Sequence, residues 1–313
     1  MLFFYSPYVI QTSSIDNICY KTVFFFVVCA GIILRILAVT RADMFLTSLK
    51  LIEDIDIHLR NRGISVDCKS CRFIFLLYAS IPFGCVVVFI CYYFSDTTSE
   101  EDNIYEIVHM TFSFAISYVT IASQVFYLGM VAIILTDRMQ HLSYYLDKLN
   151  TLENTKIIEQ EVITVSQLHL KVCQSWNFSL KAHGLSMVCI MLMVYAYSLV
   201  AFSVVMGFII PKLSKISFLP ALTLLTTMPY IVMVFQKLQN SADEFKSHVV
   251  QLCLARNAER NVNLTCRTLL LQIEHVDIDL LVFGIMRLDP QSYLEGLKSM
   301  STIIMFLVQI KNT

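Results

Sequence analysis

Five stretches of this chain run for eighteen residues or more with at most one charge: Thr22–Thr40, Phe73–Phe94, Val108–Leu135, Leu185–Ile210 and Phe218–Phe235. As helices at ~1.5 Å per residue, each approaches or exceeds the ~30 Å hydrocarbon core of a bilayer. The one charge, Arg35, sits near a span end, where it can snorkel to the interface. Val108–Leu135 is long enough to tilt, whereas Phe218–Phe235 is short and holds Pro220 and Pro229. Only 15% of residues are charged, against ~25% in soluble domains. These features predict an all-α fold, a polytopic membrane helical bundle of multi-pass topology.

A sixth span closes the chain. Asp289 is a suitable N-cap and Pro290 a suitable first helical residue. No further proline occurs from there to Ile310, about 31 Å of helix. The polar residues of this stretch are not scattered. At ~100° per residue, Ser292, Glu295, Ser299, Thr302 and Gln309 share an arc of roughly 100°, with Phe306 inside it. Polar groups inside a membrane normally face protein or water. The helix therefore lines a water-accessible path or packs against copies of itself. Alternatively, its small and polar residues simply bind it to neighbouring helices.

Loop charge orients the spans. The loops 41–72, 136–184 and 236–298 hold six, five and seven Lys or Arg, 18 of the 23 in the chain. The loop 95–107 holds none and carries five acidic residues. The positive-inside rule puts the three long loops in the cytoplasm, so the last helix runs outward. The chain divides into a transmembrane bundle, 1–235, with cytoplasmic helical loops at 41–72 and 136–184, and a segment 236–313 holding a cytoplasmic anchor and the terminal helix. Helical apolar spacing is expected at Met139–Leu152, Ile157–Leu180, Ala242–Ala255 and Thr268–Phe283. Trp176, the single tryptophan, is expected in a loop.

Motifs for chemistry are sparse. Cys68-Lys69-Ser70-Cys71 is one CxxC without a second pair, and a zinc site needs more. No His-Glu-x-x-His, phosphate loop or glycine-flanked serine occurs. No catalytic residue, metal, cofactor or nucleic-acid partner is expected, and the chain does not read as an enzyme. Asn177-Phe178-Ser179 and Asn263-Leu264-Thr265 match the glycosylation sequon but fall on the cytoplasmic side, so neither is expected to be modified. Met1–Ile10 has no basic region or small-residue cleavage site, so no signal peptide is expected. Asp137-Arg138 at the inner end of a span suggests the Asp/Glu-Arg-Tyr of G-protein-coupled receptors, but the next residue is Met139 and no Asn-Pro-x-x-Tyr follows.

The terminal pattern carries a resemblance. Thr302-Ile303, five apolar residues Ile304–Val308, then Gln309-Ile310, resembles the signature of the insect gustatory receptor family: Thr-Tyr, five apolar residues, Gln-Phe. Leu271–Asp289, with Gly284 and Asp289, is similar to the family's run into that helix. Leu135–Asn150, with Arg138 and Leu149-Asn150, resembles the segment after span four, and Leu168–Leu185 around Asn177 the approach to span five. The resemblance covers roughly 40–310. It implies a seven-span chemoreceptor with a cytoplasmic amino terminus, assembled as a homo- or hetero-tetrameric ligand-gated cation channel. The last helix would line the pore and the cytoplasmic helices would form a shared anchor. Thr22–Thr40 then corresponds to span two, and span one is expected to be missing, with Met1–Ile10 its remnant. Ile303 and Ile310 replace the signature's Tyr and Phe. Ile304 stands where the sugar-sensing branch has Glu, so a bitter or unassigned tastant is expected.

On this reading Gln309 and Ile310 form the outer pore constriction, with Phe306, Thr302 and Ser299 further in. Outer-half ligand candidates are Tyr92, His109, Phe112, Tyr118, Tyr197 and Thr223, because small-molecule sites are aromatic-lined with a few polar groups. Aromatics near span ends also serve as packing or interface anchors. The expected setting is the plasma membrane of sensory neurons, with lipid, a small tastant and other subunits as partners. The alternatives are a fragment of a G-protein-coupled-type receptor, and a non-conducting partner subunit or nonfunctional remnant.

Overall fold

A computed structural model describes residues 14–64, 66, 80, 84, 104–205, 211–276, 278, 280–282, 286–287 and 289–312. Among them the fold is all-α apart from one small hairpin. The elements are α1 (Ser14–Thr40), α2 (Ala42–Asn61), α3 (Ile104–Asn150), α4 (Thr155–Val205), α5 (Pro211–Ala255), α6 (Arg260–His275), β1 (Leu281–Val282), β2 (Met286–Arg287) and α7 (Pro290–Asn312). The expected span Phe73–Phe94 lies outside the described residues except for Ser80 and Gly84, and the Cys68/Cys71 pair lies outside them altogether.

Three helices are far longer than a membrane is thick. α3, α4 and α5 have 47, 51 and 45 residues, about 70, 76 and 67 Å at the α-helical rise. Each joins an expected span to an expected cytoplasmic helix without a break. The segments Met139–Leu152, Ile157–Leu180 and Ala242–Ala255 are thus the inner ends of the same helices. α3 packs on both α4 and α5, and α4 also packs on α5. Their shared core contains Leu128, Leu135, Leu142, Trp176, Phe235 and Phe245, all fully buried. Trp176 lies in the middle of α4 rather than in a loop. Its ring meets Phe235 edge-on at 5.4 Å, an orientation favoured by the ring quadrupoles. Trp176 falls within Ile157–Leu180, where helical spacing was expected.

α1 and α2 are separated by Arg41 alone, and Arg41 donates to the carbonyl of Lys181 on α4. The charge-rich segment from 41, expected to be helical, starts as a second helix laid against α4. α2 stops where glycine permits a left-handed residue. Gly63 has φ +74°, Ile64 N donates to Leu59 O at 3.1 Å and Gly63 N to Arg60 O at 2.9 Å. This is a Schellman end. The expected helix Thr268–Phe283 is wrong in part. α6 ends at His275, and Leu281–Val282 pairs antiparallel with Met286–Arg287. Apolar residues alternate through Val276, Ile278, Leu280 and Val282, and the last three are buried. That period of two is a strand signal, and it overrode the helical spacing before it.

At the other surface, Phe25, Ile32, Ile33, Ile36 and Val39 of α1 are exposed, a stripe at helical spacing. On its inner face Gly31 lies against Ser117 of α3, so close that any Cβ there would collide with the Ser117 backbone. Small residues allow such close approach between helices. Among the described residues, one segment, Val119–Asn150, is long and apolar enough to cross a membrane, and Val28–Thr40 is a shorter apolar helix.

Candidate functional site

The terminal helix begins as its sequence dictates. Asp289 Oδ1 accepts from Ser292 N at 2.7 Å, and Pro290 is the first helical residue. Arg287 Nε lies 3.2 Å from Asp289 Oδ2, which ties the hairpin to the cap. α7 then docks on α4 and α5. Its contact face is Tyr293, which is buried, with Gly296 and Leu297. A Cβ at Gly296 would overlap the Tyr195 hydroxyl, so this glycine lets α7 sit directly on α4.

The polar arc points the other way. Taking ~100° per residue, its centre lies roughly 140° around the helix from the docking face. Glu295, Ser299, Thr302 and Gln309 are exposed, Ser292 is half-buried, and Phe306 is 61% exposed. The side chain of Ile310 lies outside what the structure describes. Ser299 Oγ donates to Glu295 O at 3.0 Å and Thr302 Oγ1 to Lys298 O at 3.2 Å. With their protons bound to the helix, these hydroxyls offer outward lone pairs, which suits a cation or a water molecule.

The expected ligand residues are less well placed. Phe112 is exposed on α3. His109, Tyr118, Tyr197 and Thr223 belong to α3, α4 and α5, and their side chains lie outside what the structure describes. Tyr92 lies outside the described residues. Nothing described brings these six together. No group of metal-binding side chains is found among the described residues.

The core is polar in two places among the described residues. Arg138 of α3 is 1% exposed. Its Nε donates to Asp56 Oδ1 of α2 at 2.6 Å and its Nη2 to Asp56 Oδ2 at 3.3 Å, while Nη1 donates to Asp137. This forked pairing is the geometry in which Arg holds a carboxylate best. The Asp137-Arg138 pair is therefore a structural clamp between α2 and α3. On the next face, Ser48 Oγ donates to Ser175 O at 3.0 Å and Ser175 Oγ to Ser48 O at 3.1 Å, with Ser179 Oγ 2.7 Å from Ser48 Oγ. All three serines are fully buried and join α2 to α4.

The loops close over this region. Asn154 Oδ1 caps α4 by accepting from Lys156 N at 3.2 Å. Arg256 donates to Asn150 O at 2.8 Å and to Leu152 O at 2.5 Å, capping α3 from the α5–α6 turn. Arg62–Glu161 at 2.9 Å and His248–Asp147 at 2.7 Å add surface pairs. Asn263, of the second sequon, is buried and donates to Cys253 O and Asn257 Oδ1, both at 3.1 Å. Its amide has no room for a glycan.

His169 stacks on Phe245 with centroids 5.0 Å apart and planes 6° apart. Burial lowers its pKa to about 4. The unfolded chain takes up this proton near pH 6.5, and the folded chain does so only near 4. The stability associated with the neutral ring is complete above 6.5 and is lost as the pH falls towards 4. His169→Phe should keep the stack and remove this loss. Comparing unfolding of purified protein between pH 6.5 and 4, we expect the variant to lower the acid slope by up to about 1.4 kcal/mol per pH unit. An unchanged slope would contradict the assignment.

No family model matches this chain, and no curated protein matches it.

Proposed function

We propose that the chain is a subunit of a ligand-gated, non-selective cation channel similar to the insect gustatory receptors, sensing a small tastant at the plasma membrane. On this reading it is a multi-pass membrane bundle, with α1, α7 and the outer parts of α3, α4 and α5 in lipid. The carrying observation is the orientation of α7. Its docking face, Tyr293, Gly296 and Leu297, meets the chain's own helices, and Glu295, Ser299, Thr302, Phe306 and Gln309 face outward. A polar arc inside a membrane has to meet protein or water. A second copy around a shared axis provides both. The exposed apolar stripe of α1 supports membrane insertion, because so continuous a patch is unusual on a soluble surface.

In this arrangement the amides of Gln309 from each subunit contact a partly hydrated cation, and Phe306 narrows the path below them. Movement of the outer bundle on ligand binding would draw α7 outward through its seat on Tyr195. Gln309→Ala should change the Na⁺/K⁺ permeability ratio or the single-channel current by severalfold in voltage-clamped cells. Identical permeation in a conducting variant would refute the pore assignment. An epitope at the carboxyl terminus should be labelled on intact cells, and labelling only after permeabilisation would refute the topology.

A further inference from the structure

The α4 face turned towards α1, α2 and α3 carries Ser175, Ser179, His183 and Ser186, spaced by four, four and three residues, and all are buried. Each end of this column is hydrogen-bonded. Outward, Ser186 Oγ donates to Gln124 Oε1, and Gln124 Nε2 donates to Leu34 O at 3.1 Å. Inward is the Ser48–Ser175–Ser179 cluster. Between them His183 meets two rings: Tyr127 of α3 with centroids 5.0 Å apart and Phe45 of α2 at 5.6 Å. Phe45 and Tyr127 touch edge-on at 4.5 Å.

This middle section is where the polar accounting fails to close. His183 is only 9% exposed, and neither of its ring nitrogens has a hydrogen-bond partner among the described residues. The buried Tyr127 hydroxyl has none either. A neutral imidazole offers one donor and one acceptor, and a phenol offers one donor and accepts as well. Leaving such groups dry is costly. A single small guest with donors and acceptors satisfies both side chains at once. Internal water makes about three hydrogen bonds to groups of this kind.

We infer that Tyr127 and His183 form an internal hydration site, in which a water molecule bridges the phenol and the imidazole. Phe45 covers this water from the α2 side. The site makes the α1–α2 corner a hydrated joint on α4 rather than a dry one. This inference does not depend on the channel reading, because it concerns only the packing of one subunit.

The test turns on a sign. A dry, orphaned hydroxyl is a burden, so Tyr127→Phe would raise the melting temperature of the purified protein. With a bridging water, Tyr127→Phe should lower it by roughly 2 °C or more. His183→Phe should also lower it, and the double variant should fall short of the sum, since both side chains hold the same water. A raised melting temperature, or strictly additive losses, would overturn the inference. If either variant fails to fold, the unaltered protein still decides the question. Hydroxyl radicals generated by X-ray pulses in ¹⁸O-water should oxidise Tyr127 far above Tyr195 and Tyr230, which are likewise partly buried. Labelling of Tyr127 no greater than theirs would overturn the inference too.

Discussion

Arg138→Met is expected to destabilise the folded chain by about 3–5 kcal/mol, the range for removing one partner of a buried ion pair. The reason is geometric. Arg138 is enclosed by α2 and α3, and its guanidinium fork is matched to both oxygens of Asp56. Taking away the cation leaves the largely buried Asp56 carboxylate without the fork that holds both of its oxygens. Asp56→Asn should cost less, since Asp137 still pairs with Arg138 and the amide can accept from Nε. The coupling is measurable as a double-mutant cycle on the unfolding of purified protein, with Asp56→Ala, Arg138→Ala and the pair. An interaction energy near zero would mean that the clamp contributes nothing and that α2 is held by packing alone.

The second large effect concerns α7. Cysteine at Thr302 or Phe306 is expected to form disulfides between copies under mild oxidation, giving a ladder that ends at the tetramer on a non-reducing gel. Cysteine at Leu297 should give none, because that position faces the chain's own core. The comparison is internal: the three positions lie within ten residues of one helix of one protein. Equal cross-linking at all three would mean random collision. Cross-linking at 297 alone would mean that α7 is seated the other way round, and the channel reading would fall with it.

What could be read in advance was local. The Asp289 cap, the Pro290 start and the polar arc of α7 depend on residues within a few turns, and helix geometry brings them together without help from the rest of the fold. The inner helices were legible for the same reason, from Leu142, Leu146 and Leu149 at helical spacing. What stayed hidden was long-range. Asp56 and Arg138 are 82 residues apart in sequence, and nothing in either neighbourhood marks one as the partner of the other. Ser48 and Ser175 look like ordinary small polar residues until two helices press them together. The hairpin at 281–287 was missed because a period-two pattern was attached to the end of a longer helical one. The tastant site is legible least of all, since its proposed residues come from three or more helices and no local pattern fixes how those helices meet.

The unbroken length of α3, α4 and α5 has a mechanical consequence. A continuous α-helix resists bending more than a chain with a loop partway along, so part of a sideways push near one end is carried to the other. The two clamps at Asp56–Arg138 and Ser48–Ser175 grip α3 and α4 well inside their spans and act as fulcrums. Pressure on the outer arm of either helix would then swing its inner arm in the opposite direction. On that account α3 and α4 are levers, and a signal needs no relay of residues to travel along either.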